Sequence, residues 1–346
     1  MIDRARQGLL LVFALLLCLV GGTASAEEYR LRVHHFLPTT STTHQFLVPW
    51  AEEVAAASGG RLEIEIYPAM QLGGKPPQLY DQARDGVVDI VWTLPGYTPG
   101  RFPVSSVFEL PFMVDNAEAT SQATQEFAEK YLAEEFGDVH LLMLHAHARG
   151  TLHLKGKPVT RMEDLVGAKI RAPNKAIADA LAALGASPVF MPVTQVAEAL
   201  SRSVIDGAAL PFEITRPLKI HELVDSHTEI PGAHGIYTAL FILAMNKASY
   251  ESLPPDLQKV IDDTTGLAMA KEVGRMWDEA ETLGRQAAVD NGNTFNQLTP
   301  EEAKRWQRVT QPVVDGWVAD MNAQGKDGEK LLAAARGLIA KYSGAN

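Results

Sequence analysis

Histidine and arginine are the residues of this chain whose types and spacing could do chemistry. His145 and His147 stand two apart, so a strand running through them turns both imidazoles to one face. His153 follows closely, and a His34-His35 pair sits in an earlier alternating segment. Imidazoles grouped in this way could ligate Zn²⁺ or another divalent cation and activate a water for hydrolysis. No carboxylate-bearing motif completes such a shell, and neutral imidazoles such as His35, His147 and His153 can equally donate hydrogen bonds to a bound solute. Arg171 offers a different chemistry. In Gly167-Ala-Lys-Ile-Arg-Ala-Pro173 it ends a strand just before a proline-started loop, and open α/β sheets bind ligands beyond the carboxyl ends of their strands. A guanidinium placed there presents a planar, permanently charged fork that takes a carboxylate with two parallel hydrogen bonds. Catalytic motifs are otherwise missing: there is no G-x-S-x-G elbow, no H-E-x-x-H and no G-x-G-x-x-G after a strand. Gly73-Gly74-Lys75 lacks the Ser or Thr of a phosphate loop and runs into Pro76-Pro77, which have no backbone donors, so it reads as a turn.

The elements that must position these residues come from an ordinary globular composition: 346 residues, 46% hydrophobic and 21% charged. That excludes a disordered or collagen-like chain, and the length suits two domains better than one. With 42 acidic against 31 basic residues the net charge is −11, which argues against a nucleic-acid partner. Arg4 and Arg6, the apolar run from Leu9 to Val20 and the small residues Ala24-Ser25-Ala26 read as a secretory signal peptide over residues 1–26, cut after Ala26. Its removal takes away Asp3, Arg4 and Arg6, moving the net charge to −12, and also the only cysteine, Cys18. An exported chain without disulfide or thiol chemistry follows, most simply periplasmic, with no direct membrane insertion once the leader is gone.

Past the leader, strands and helices alternate. Tyr29 to Val33 and Arg61 to Tyr67 alternate as half-buried strands. A helix with Phe46, Leu47, Trp50 and Val54 lies between them, and Gly86 to Trp92 reads as a buried strand. This βαβαβ rhythm predicts a parallel sheet covered by helices. It recurs in Val139–Leu144, Ala168–Arg171, a helix over Ala176–Leu184, Val189–Met191 and a helix over Gln195–Ser203. The junction Arg84-Asp-Gly-Val-Val-Asp89 is echoed by Arg202-Ser-Val-Ile-Asp206, which points to two similar lobes. Pro254 to Gly284 reads as one long helix, and Thr299-Pro-Glu-Glu302 as a capping box opening a helix with Trp306, Val309, Val313 and Trp317 down one side.

Lys157-Pro-Val, Glu163-Asp-Leu-Val-Gly-Ala-Lys-Ile-Arg-Ala-Pro173, Ala183-Leu-Gly-Ala-Ser-Pro-Val189 and Val204-Ile-Asp-Gly207 resemble the solute-binding proteins of tripartite ATP-independent periplasmic (TRAP) transporters, the DctP-type family. Tyr67-Pro68, Gln71-Leu-Gly-Gly74, Gly86-Val-Val-Asp89 and Glu109-Leu-Pro-Phe112 resemble that family's signatures in the same order. The resemblance implies an α/β, two-lobed periplasmic binding protein, type II-like, with a hinge and a long helix spanning both lobes. Lobe I would hold residues 27–148 plus about 236–275, and lobe II 149–235 plus about 276–346 with C-terminal bracing helices. Such a protein catalyses nothing and needs no cofactor or metal. It captures an organic acid and hands it to the small and large membrane subunits of a permease. The family's carboxylate anchor maps to Arg171; a further arginine of many members has its nearest candidate in Arg149. Where the family often has Gln-x-Asn-Pro, this chain has Ala208-Ala-Leu-Pro211 followed by Phe212 and Glu213. With Trp92, Thr93, Tyr97, Asn174 and Tyr237 as further candidates around the solute, a monocarboxylate with an apolar or aromatic body is expected. The alternatives are a periplasmic metal-dependent hydrolase using His145, His147 and His153, or a protein that binds metal chelates.

Overall fold

A computed structural model describes residues 27–232 and 234–344, so the proposed leader lies outside the described residues. Among the described residues, eleven strands form two sheets. The first holds β1 (Tyr29–His35), β2 (Leu62–Tyr67), β3 (Ile90–Thr93), β4 (His140–Ala146) and β10 (Leu240–Met245), in the order β2-β1-β3-β10-β4. The second holds β5 (Thr151–Leu154), β6 (Lys169–Ala172), β7 (Ser187–Phe190), β8 (Gly207–Leu210), β9 (Ser226–Glu229) and β11 (Thr294–Gln297), in the order β11-β9-β5-β8-β6-β7. Alternation does what it predicts in β1 and β2, where Leu31, Val33, Leu62 and Ile64 face the core and the register pairs Tyr29 with Leu62.

The sheets are mixed rather than parallel. β1 runs parallel to both β2 and β3, and β6 to both β7 and β8, but β10 lies antiparallel between β3 and β4 and β5 antiparallel between β8 and β9. Both antiparallel strands belong to crossings between the sheets. The chain leaves the first sheet at Ala146 and enters the second at Thr151, then leaves the second at Glu229 and re-enters the first at Leu240. An all-apolar run such as Leu240–Met245 carries no sign of its direction, which is why the parallel expectation failed there.

The helix expected over Pro254–Gly284 is two helices, Pro255–Asp263 and Gly266–Asp290. The Thr264 and Thr265 hydroxyls turn back onto the Val260 and Ile261 carbonyls at 2.8 and 2.9 Å, and Gly266 takes φ 72°, which breaks the run. Gly266–Asp290 is the spanning helix: it packs on the helix Ala117–Tyr131 and β4 beside the first sheet and on the short helix Phe212–Thr215 beside the second. Thr299 caps the helix Pro300–Ala323 by accepting from Glu302 N at 3.2 Å. The Glu302 carboxylate does not close the box; it accepts from Met162 N at 2.7 Å and Trp306 Nε1 at 2.9 Å, tying this helix to the second lobe. The last helix, Gly328–Tyr342, packs on Ala117–Tyr131 beside the first sheet, although the sequence-based division groups it with lobe II. Among the described residues, no helix is long and apolar enough to cross a membrane.

Candidate functional site

A narrow cleft lies where the carboxyl ends of β3, β6 and β8 meet the spanning helix. Arg171 occupies the third position of β6, paired in register with Val189 on one side and Ala208 on the other. Its side chain is 2% exposed and held in place by carbonyls: Nε donates to Met191 O at 3.0 Å and Nη1 to Ala209 O at 3.1 Å. The charged neighbours that a buried guanidinium needs are missing. Burial pushes its pKa below the usual range, and the groups that offset this are two phenols, Tyr97 and Tyr237, with no carboxylate among them. A guanidinium does not give up its proton in proteins, and a buried charge without a partner is costly, so the cleft is built for an anion.

Both tyrosines stand ready as neutral donors, since burial raises their pKa values. The Tyr97 hydroxyl accepts from Val193 N at 3.0 Å, bridging the loop after β3 and the loop after β7. The Tyr237 hydroxyl, fully buried, has no partner. The Tyr237 ring lies so close to Gly150 that a Cβ there would come within 1.9 Å of it, which fixes the ring at the chain crossing. Aromatic rings line the rest of the cleft. Trp92 stacks on Phe241 at 4.7 Å, Phe36 packs on Trp92 at 5.2 Å, and Trp277 of the spanning helix completes the wall. Glu213 is the carboxyl that lines the cleft. Burial pushes its carboxyl up to about 7, and its Oε1 has no partner.

Of the sequence-derived candidates, the cleft brings together Arg171, Trp92, Tyr97, His147, Glu213 and Tyr237. The others do not line it. Thr93 bonds the Pro76 carbonyl at 3.3 Å. His35 accepts from Leu37 N at 3.3 Å through Nδ1 and meets His44 through Nε2 at 3.2 Å. Phe212 packs edge-on against His153, behind the cleft. Arg149 is ion-paired with Asp115 at 3.0 Å and donates to Gly232 O at 2.7 Å, so the second arginine serves the loop around the crossing. Asn174 caps the helix Lys175–Ala183 by accepting from Ile177 N at 3.0 Å. It lines a wider outer groove together with Glu109, whose carboxyl burial pushes up to about 7. That groove contains no buried cation among the described residues.

The histidines are corrected as a group. His145 Nε2 accepts from Trp92 Nε1 at 2.9 Å. His147 uses both nitrogens on backbone, Nδ1 donating to Ala148 O and Nε2 accepting from Ala239 N at 2.9 Å. His153 meets His227 through Nδ1 at 2.7 Å and Leu210 O through Nε2 at 3.0 Å. Burial holds His145 and His147 down at about 3 and His153 well below the usual range, so all three are neutral. Apart from His145 Nδ1, which has no partner, their ring nitrogens are turned to separate groups, and among the described residues no group of three or more His, Cys, Asp or Glu converges. The hydrolase and metal-chelate alternatives are therefore dropped. Conversely, Phe36, Phe241 and Trp277 are cleft residues that sequence reasoning missed. For Trp277 a signal existed: Ala270, Val273, Trp277 and Gly284 recur at helical spacing and are the buried face of the spanning helix.

Comparison with known proteins agrees with this architecture. The family model described as bacterial extracellular solute-binding protein, family 7 (DctP), matches residues 33–320. A TRAP solute-binding protein from Rhodoferax ferrireducens T118, solved with copurified benzoate, is 48% identical, with a TM-score of 0.89 and coverage of 92% of this chain and 99% of that one. A marine-metagenome TRAP solute-binding protein described as specific for aromatic acids, solved with 3-hydroxybenzoate, is 47% identical with the same TM-score, covering 91% and 99%. The C4-dicarboxylate-binding periplasmic protein DctP of Rhodobacter capsulatus is 27% identical over 310 residues, 87% of this chain and 90% of that protein. Two mixed sheets bridged by a long helix, an arginine buried between them without an ion-pair partner and a family match over most of its length place this chain among the DctP-family solute-binding proteins of TRAP transporters, which bind solutes and are not enzymes.

Proposed function

We propose that this chain captures an aromatic monocarboxylate, with the carboxylate on Arg171, Tyr97 and Tyr237 and the ring among Phe36, Trp92 and Phe241. One observation carries the reading: a guanidinium 2% exposed, without a carboxylate partner, facing an aromatic-walled cleft. A carboxylate bound there gains charge-assisted hydrogen bonds at low effective dielectric, and an aromatic body gains apolar burial. The solved relatives with benzoate and 3-hydroxybenzoate support the same ligand class. A C4-dicarboxylate, the ligand named for the Rhodobacter relative, fits less well, because its second carboxylate would need a second cation and Arg149 is engaged with Asp115. The cleft's remaining ionisable groups are an acid, Glu213, and a neutral imidazole, His147, whose two nitrogens are both held by backbone.

In this reading the leader is cut after Ala26, the chain works in the periplasm, and the closed, loaded form docks on a permease of small and large membrane subunits. Isothermal titration calorimetry of the leader-free protein with benzoate, 3-hydroxybenzoate and succinate tests the ligand class. The aromatic acids are expected to bind at least about 10-fold more tightly than succinate. Succinate binding without benzoate binding would overturn the proposal.

A further inference from the structure

We propose that the Glu213 carboxyl and the Trp277 indole N–H form a receptor for a hydroxyl group on the solute, so that the preferred ligand is a hydroxylated aromatic monocarboxylate rather than its unsubstituted parent. This inference rests on the aromatic-acid reading above and refines it. Glu213 is 5% exposed with Oε1 unpartnered, and Trp277 is 1% exposed with Nε1 unpartnered; both line the cleft that contains Arg171. Buried polar atoms are nearly always paired, so an acceptor and a donor left open in one cleft call for an occupant that answers both. A hydroxyl donates one hydrogen bond and accepts others. An ammonium could serve only the carboxyl, and an ether or halogen only the indole.

This polar end is distinct from the carboxylate end. Arg171 has Tyr97 and Tyr237 around it and no acid, whereas Glu213 faces the Thr42 hydroxyl and has no cation. The backbone N–H of Glu213 donates to Glu281 Oε2 at 2.8 Å. Glu281 lies four residues after Trp277 on the spanning helix and so shares its side of that helix. A second carboxyl so close makes this end unfavourable for a ligand's own carboxylate. The end is also rigid. A Cβ on Gly284 would come within 2.0 Å of the Phe212 carbonyl, so the helix seats directly on the residues that carry Glu213. An open acceptor and an open donor on elements this tightly packed match a group at a fixed position on the ring.

Calorimetry with benzoate, the three hydroxybenzoates and 3-methoxybenzoate provides the test. In the unaltered protein, at least one hydroxybenzoate should bind about 10-fold more tightly than benzoate, the range of a hydrogen bond to a buried polar or charged group. The methoxy acid, which accepts but cannot donate, should show no such gain. Glu213→Leu and Trp277→Phe should each bring the hydroxybenzoate-to-benzoate ratio close to one, and Glu213→Gln, which keeps an acceptor oxygen, should retain most of it. Arg171→Lys should weaken both acids and leave their ratio intact. If Glu213→Leu fails to fold, Trp277→Phe and the ligand series carry the same reading. A ratio near one in the unaltered protein, or an undiminished preference in Glu213→Leu or Trp277→Phe, would overturn the hydroxyl receptor. Failure of every aromatic acid to bind would instead overturn the reading on which it rests.

Discussion

At the scale of the residue, Arg171 shows how a single side chain can be legible in sequence while its neighbours are not. Its type, its place at a strand's end and the following proline all lie within seven residues. Its partners, Met191, Ala209, Tyr97 and Tyr237, come from four other segments. Two of its nitrogens are already spent on carbonyls, so the orientation of the fork is set before any ligand arrives. We expect Arg171→Ala to weaken binding of the preferred acid by about 100-fold or more, and Arg171→Lys by about 10-fold or more, because an ammonium can neither hold the Met191 and Ala209 carbonyls nor offer two parallel donors. Calorimetry checks both, and unchanged affinity in Arg171→Lys would count against the clamp. The imidazoles teach the converse. His145, His147 and His153 have the spacing of ligands, but Trp92, Ala239, Leu210 and His227 take four of their six nitrogens, and these four partners lie more than fifty residues away in the chain.

At the scale of the element, the turn Pro95–Tyr97 after β3 carries contacts from the first lobe to the second beside the cleft. Tyr97 reaches across to Val193, and Gly96 lies where a Cβ would be 2.8 Å from Asn174 Cβ and 3.1 Å from Glu109 Oε1. The need for glycine here is steric, because its φ is not in the left-handed region. Gly96→Ala should therefore penalise the approach of the second lobe more than the folding of the first. Expected is a loss of affinity of about 10-fold with a smaller effect on the melting temperature of the ligand-free protein. Titration and thermal melting of the same preparation distinguish these effects, and intact affinity would remove Gly96 from closure. Asn174, a residue singled out for ligand contact, acts at this scale too: it caps its helix and packs against Gly96.

At the scale of the whole molecule, buried ionisable groups of both kinds set the pH dependence of stability. Burial holds Glu109 and Glu213 up at about 7 and Glu281 at about 8. It holds His35, His145 and His147 down at about 3 and His227 at about 4, with His153 well below the usual range. Unfolded carboxyls titrate near about 4.3 and unfolded imidazoles near about 6.5. Between these values the unfolded chain binds protons on the five imidazoles, while the folded chain keeps them on the three carboxyls. The imidazoles outnumber the carboxyls, so stability rises with pH. Above about 6.5 only the carboxyls differ; the folded state now binds more protons, and stability falls through their raised pKa values. The ligand-free melting temperature should therefore peak near pH 6.5. Melts from pH 4.5 to 8.5 at constant ionic strength check this, and a steady rise across pH 6.5 to 8 would contradict it.

Sequence alone determined what local physics controls. Alternation in β1 and β2, the Thr299 cap, the strand-end position of Arg171 and the chain of family motifs each reside in a dozen residues or fewer, where side-chain period, capping and turn chemistry act. Tertiary structure decided the direction of β10 and β5 and which polar residues face the cleft. It placed Arg149, His153 and Asn174 outside the cleft and Phe241 and Trp277 in its lining. The physical reason is that burial and pairing depend on groups far apart in the chain, as when Glu213 meets Glu281 and Trp92 meets His145. Whether a polar atom in such a place is satisfied or left open for a ligand is settled only when the two lobes and the helix between them have packed.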